Sequence, residues 1–462
     1  MAATDILGMA DAAHLLRRAG FGGTAKELAK LAARRRGDAV ALLLGTKTRR
    51  SRPPAGKGGE LALAKMRVWW LKQMQSPKWR LHEKLALFWH AHFATPWSAV
   101  PDSAKLARQN GVLREHGLGA FRTLLYEITR DAAMLEFRDG VRSGPADPNE
   151  NFARALLEQY ALGPRDLAGM PNYVEADVVA FARGLTGFQL GPKDLAGQVD
   201  LEFFDDGTKQ VFVGNAAEAT GNLGIEDGSG DLLPAGQNLL DLLFAHRDSE
   251  DRPTLARFIA KKLWEWFAYP EPELALVDPL ADAFVASGYQ TRALVSAILL
   301  RDEFYSAAAR SSTPRTPVDL ALASLRALGA KSNLAALPEA LARMGMALFD
   351  PPAVEGWNRG EEWLSAGLVQ RRLEFVQALA AGRSGKTYAL APKKLFDLKS
   401  TNAAALVDAL LAKLDVAPSA AARQALVDYV AGGNGLALKE RTERTLRGAV
   451  ALALSLPEYQ LH

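Results

Sequence analysis

The chain has no cysteine in its 462 residues, which removes disulfide staples, thiolate metal sites and cysteine nucleophiles together. That absence does not fix the compartment, because cysteine-free proteins suit reducing and oxidising surroundings alike. Long apolar runs are missing too. Stretches without charge, such as Leu85 to Pro101, are broken by His, Thr and Pro, so no membrane-spanning helix is expected. The first residues carry an early acid, Asp5, and no basic segment ahead of an apolar run, which is not the pattern of a secretory signal. The expectation is a cytoplasmic protein, with export as the alternative for a trimmed chain. Also absent are the nucleophile elbow, the zinc-protease helix and the dinucleotide fingerprint.

What remains is the composition of a globular protein, 48% hydrophobic and 23% charged, and long enough for one large body or two to three domains. The net charge of +4 hides an imbalance. Residues 1–120 hold 21 Lys and Arg against 8 Asp and Glu, so the rest of the chain is acidic. The basic third either meets an anionic or polysaccharide ligand or faces the acidic part across an internal interface. No nucleic-acid motif accompanies it, and nucleic acid is not expected as a partner.

Apolar residues recur with helical spacing in segments including Ala10–Ala19, Thr24–Arg36, Glu60–Gln75, Lys78–Phe93, Asn149–Gly163, Tyr173–Thr186, Arg252–Ala268 and Leu364–Ala380. The fold class that follows is all-α, with one β-hairpin at 199–213, where Val199–Phe204 and Lys209–Val213 flank Asp205-Asp206-Gly207. The expected organisation is N-terminal helices to 45, a basic mobile loop at 46–59, a helical core carrying the site at 60–187, the irregular insertion at 188–236, a second helical stretch at 237–380 and a C-terminal helical region from 381.

Five of nine tryptophans and three of seven histidines fall between residues 69 and 97. Leu81, Leu85, Phe88 and His92 follow the core stripe of a helix, so His92 should point inward. His90 lies about 200° away around that helix, which separates the two imidazoles unless the helix loosens before Pro96. Two readings stand: one buried, hydrogen-bonded histidine with one at the surface, or a ligand pair for a divalent metal ion, the candidate cofactor. Glu150, Arg154 and Glu158 repeat every four residues behind the Asn149 cap and share a face. Two carboxylates around a guanidinium supply an acid and a base, or metal ligands, but the same trio also makes an ordinary salt-bridge ladder. Asn172-Tyr173-Val174-Glu175 has the form of a capping box, and Arg183, two turns on, is a second-rank candidate for substrate contact.

Two other phrases are weaker. Ala380 to Thr387 satisfies a relaxed phosphate-loop pattern but follows a helix where a strand is needed. Asp227-Gly228-Ser229-Gly230-Asp231 lacks the spacing of a calcium loop and reads as a turn.

In chain order, His14 to Gly22 (His-Leu-Leu-Arg-Arg-Ala-Gly-Phe-Gly), Phe88-Trp89-His90-Ala91-His92-Phe93, Asn149-Glu150-Asn151-Phe152-Ala153-Arg154, Ala182 to Phe188, and Pro351 to Trp357 make nearly the whole chain resemble one bacterial family, catalogued as domain of unknown function 1800. The resemblance implies a mainly helical fold, frequent export, and relatives encoded beside a sulfatase-like partner. Family members usually carry Glu where this chain has Ala155, and a His-Asp pair where it has Phe204 and Asp205. If those family residues serve catalysis, this chain is altered or inactive. The leading expectation is an enzyme-like pocket of His90, His92, Glu150, Arg154 and Glu158 walled by Trp89 and Trp357. It would use metal-assisted or carboxylate acid-base chemistry, hydrolytic in kind, on a cell-envelope or polysaccharide substrate. The competing expectation is a non-catalytic scaffold or binding module in which the same residues form a buried polar network that fixes helix packing.

Overall fold

The computed structural model describes residues 4–45, 51–55, 59–191, 193–225, 238–310, 312–382, 387–392, 395–396, 402–432 and 443–462. Most of the expected basic loop at 46–59, the Asp227–Asp231 turn and the centre of the phosphate-loop-like phrase lie outside the described residues. Among the described residues there are 21 α-helices and three two-stranded antiparallel sheets, so the protein is mainly helical with small hairpin insertions. None of these helices is long and apolar enough to cross a membrane.

Two apolar cores share one helix. Arg80–His92 gives Leu81, Leu85, Phe88 and Trp89 to a core with Phe121, Ile259, Leu263 and Trp264. From its opposite side it gives Ala86 and Leu87 to a core with Trp70, Met344, Phe349, Trp363 and Val450. Buried on both sides, the helix must neutralise the charges it carries, because an unpaired ion in a low-dielectric interior costs several kcal/mol. Glu83 takes two bonds from Arg114, at 2.8 and 2.5 Å, and one from the Trp70 indole at 3.0 Å. Lys84 donates to both oxygens of Asp319, at 2.6 and 2.7 Å.

The same need accounts for much of the basic first third. Arg18 caps the Thr254–Phe267 helix by donating to the Phe267 carbonyl at 2.6 Å and to that of Ala268, groups that a helix end leaves without partners. Arg36 meets Asp302 at 2.6 Å, Arg80 meets Glu27 at 2.6 Å, and Arg17 pairs with Asp415. Several of these bonds join the basic third to the acidic remainder.

Local departures from the expected elements have identifiable causes. Thr24–Arg36 splits into Ala25–Ala32 and Arg36–Leu44, because the backbone at Arg34 and Arg36 bonds Leu7 and Asp5 at 2.9 Å instead of continuing a helix. The Asn149–Gly163 stretch is α-helical over Glu150–Ala155 and widens to a π-helix over Leu156–Ala161. The hairpin does not join 199–204 to 209–213. Phe188–Gln189 pairs with Gln198–Val199, and Lys209–Val211 pairs with Ala219–Gly221. The expected turn is recruited elsewhere: Asp205 takes a bidentate bond from Arg183 at 2.6 and 2.9 Å, and Arg183 also donates to the Thr208 carbonyl at 3.0 Å. The expected cap at Glu175 is made by Asp177, whose carboxylate accepts from the Val174 amide at 2.8 Å.

Candidate functional site

The shared helix presents Lys84, Phe88, Ala91 and His92 along one side, as spacings of four and three require. Facing it, the Thr254–Phe267 helix presents Lys261, Lys262, Glu265 and Trp266. The segment 313–319 adds Thr316 and Asp319, and the segment 346–363 adds Trp357, Arg359 and Trp363. Together with Arg18 and His462 they enclose a cavity of about 360 Å³. Gly356 brings Trp357 to this place. Its φ of +100° suits glycine, and a Cβ there would lie 2.7 Å from the Ala91 carbonyl oxygen, so only glycine lets the loop lie so close to the helix.

The floor of the cavity is the Lys84–Asp319 pair, 2% and 3% exposed, with the Thr316 hydroxyl donating to Asp319 at 2.7 Å. Burial holds the Lys84 amine below the ordinary lysine range even though Asp319 opposes the shift. At the mouth the charges are less well matched. Lys261 is paired with Glu265 at 2.5 Å. Lys262 donates to the Gln159 carbonyl at 3.3 Å and lies 4.7 Å from the centre of the Phe258 ring. Arg359 donates to the Glu355 carbonyl at 3.0 Å. Neither Lys262 nor Arg359 has an ion pair among the described residues. Burial, reinforced by Arg359, lowers the Lys262 amine to about 7. The side chain keeps contact with solvent through the cavity while protein surrounds its length, which is how a half-buried lysine comes to feel an interior field.

The residues singled out in the sequence fall into three places. His92 and Trp357 line the cavity. The His92 Nε2 lies 3.2 Å from the Tyr160 carbonyl, so Nε2 carries the hydrogen and Nδ1, which has no partner among the described residues, is a bare acceptor. Burial keeps this ring neutral well below the usual histidine range. His90 is not at the surface, as one reading had it. It is 1% exposed, set among Trp70, Phe349 and Trp357 at 5.4 to 5.6 Å, and neither ring nitrogen has a hydrogen-bond partner among the described residues. The helix stays regular through His92, so Pro96 does not bring the two imidazoles together. Among the described residues no group of three His, Asp or Glu is placed to hold a metal ion. Trp89 is fully buried, with its indole donating to the Gly117 carbonyl at 2.9 Å.

Glu150, Arg154 and Glu158 form the third group, and none of them lines the cavity. Arg154 spans Glu150 at 3.7 Å, Glu158 at 3.8 Å and Glu175 at 2.5 Å, with side chains 30–65% exposed. Glu158 also accepts from the Tyr173 hydroxyl at 2.5 Å. Arg183 holds the insertion through Asp205. Ala155 and Phe204, where the chain departs from its resemblance, are buried and also lie off the cavity. Sequence reasoning missed Lys84, Lys262, Trp266, Asp319 and Arg359. The one available signal was charge inside apolar helical stripes, at Lys84 and at Lys261-Lys262.

No curated protein and no solved structure shows significant similarity to the chain. A family model does match it, from residue 14 to residue 461, and its description is a protein of unknown function, DUF1800. With nearly its whole length inside that match, the chain belongs to the DUF1800 family.

Proposed function

We propose that the cavity receives the charged end of an anionic, ring-bearing molecule, such as an acidic sugar of an envelope glycan, and that the protein acts on it by acid-base chemistry. The observation that carries this reading is the pair of cations, Lys262 and Arg359, without carboxylate partners among the described residues, at the mouth of a hollow lined by Trp266, Trp357 and Trp363. Indole faces suit the apolar faces of sugar rings, and a few convergent polar groups in a mostly apolar cavity mark a binding site. Glu265 and Glu271 supply carboxylates on the lining, and His92 supplies a neutral imidazole. The basic first third contributes Arg18 and Lys84 to the floor. A sulfatase-like partner and an exported location, both implied by the family resemblance, fit an anionic glycan. A metal-assisted route finds no donor set among the described residues, and this reading does not need one. Because Ala155 and Phe204 lie off the cavity, their departure from the family pattern leaves this chemistry in place.

The test is ligand-induced thermal stabilisation. Glucuronate, galacturonate and sulfated monosaccharides should raise the melting temperature where glucose does not, and Arg359→Gln should abolish the difference. Equal responses to charged and neutral sugars, or none to either, would refute the reading.

A further inference from the structure

Two lysines stand side by side on the Thr254–Phe267 helix and have different surroundings. Lys261 turns to Glu265 at 2.5 Å. Lys262, about 100° further round the helix, has a main-chain oxygen at 3.3 Å and an aromatic ring for company, and no ion pair among the described residues. The charged groups acting on it are Arg359 and Lys261, with Glu265 opposing them and already engaged. A lysine desolvated in a pocket beside another cation is the arrangement that turns an ammonium into an amine nucleophile.

We propose that Lys262 is a nucleophilic amine that condenses with the carbonyl carbon of a small aldehyde or ketone bearing a carboxylate, the carboxylate being held by Arg359. This rests on the reading of the cavity as an anion site. The Nζ lone pair adds to the carbonyl carbon, and one N–H proton passes to the former carbonyl oxygen to give a carbinolamine. That hydroxyl takes a second proton from solvent and leaves as water while the C=N bond forms. Amine, carbonyl and one proton thus give an iminium ion and water, with no oxidant or reductant. With the amine at about 7, half of it is neutral at pH 7. An ordinary lysine is neutral to roughly one part in a few thousand. The incoming carboxylate also offsets the charge of Arg359, one of the groups that disfavours a cation at this position.

The experiment treats the full chain at pH 7 with glyoxylate and cyanoborohydride, which reduces an imine to a stable carboxymethyl amine, and maps the labelled lysines by peptide mass spectrometry. Lys262 should be labelled at least about tenfold faster than the exposed Lys65. Arg359→Gln should reduce that advantage more for glyoxylate than for acetaldehyde, which has no carboxylate and loses only the share of the lowered amine that Arg359 supplies. Labelling of Lys262 no faster than Lys65 in natively folded protein overturns the proposal. If acidic sugars still stabilise that protein, the covalent step fails and the anion site survives; if they do not, both fail.

Discussion

Replacing His90 with methionine should leave the protein as stable at pH 7 and make it more tolerant of acid. Burial lowers the His90 imidazole from 6.5 to about 3, with no hydrogen bond to either nitrogen and no charged neighbour contributing among the described residues. The folded protein therefore keeps the ring neutral while the unfolded chain takes up a proton as pH falls below about 6.5, so stability is full above that value and is lost on the way down to about 3. For any folded value below about 4, the loss between pH 7 and pH 5 is about 2 kcal/mol for this one ring. Methionine is close to histidine in volume, and replacing an unbonded polar ring with an apolar side chain costs little at pH 7. Urea unfolding followed by tryptophan fluorescence should show the variant losing about 2 kcal/mol less than the parent over that interval. Equal losses in the two proteins, or a His90 NMR signal titrating near 6.5 in the folded state, would refute the reasoning.

Other perturbations follow from the same geometry. Asp319→Asn leaves the Lys84 ammonium buried without its counter-charge and should cost about 3–5 kcal/mol in calorimetry, whereas the double change Lys84→Met with Asp319→Leu should recover most of it; a single-variant loss below about 1 kcal/mol would contradict the pairing. Glu150→Gln and Glu158→Gln should each shift stability by less than about 1 kcal/mol in thermal melts, because exposed ion pairs contribute little. Gly356→Ala should cost on the order of 1–3 kcal/mol and weaken acidic-sugar binding, since the new Cβ meets the Ala91 carbonyl and displaces Trp357.

The helices were legible because apolar spacing is local. The Leu81, Leu85, Phe88 and His92 stripe put His92 inside, where it is. What the stripe did not show is that the opposite side of the same helix is buried too, because a second core arrives from residues some 250 positions later. That is why His90 was open to a surface reading and Lys84 went unnoticed. The Asp205-Asp206-Gly207 turn was legible as a turn but not as an anchor, since its partner Arg183 lies on another element. Glu150, Arg154 and Glu158 were legible as a row, and a row on one helix carries no information about what faces it.

Buried charges in this protein are met either by opposite charges, as Arg114 is by Glu83, Lys84 by Asp319 and Arg257 by Asp248 at 2.8 Å, or by several neutral oxygens, as Arg18 and Arg372 are. Such matching is what the desolvation cost of an ion requires of a fold. Lys262 has a single carbonyl oxygen, at 3.3 Å, among the described residues, in a place that solvent can still reach, with a second cation nearby and indoles around it. That shortfall is explained if the missing negative charge arrives with a ligand. On that account, acidic-sugar binding should be accompanied by proton uptake at pH 7, as the anion raises the Lys262 amine from about 7. Calorimetric titrations in buffers of different ionisation enthalpy would measure that uptake directly. Binding without proton uptake would mean that the ligand does not reach Lys262.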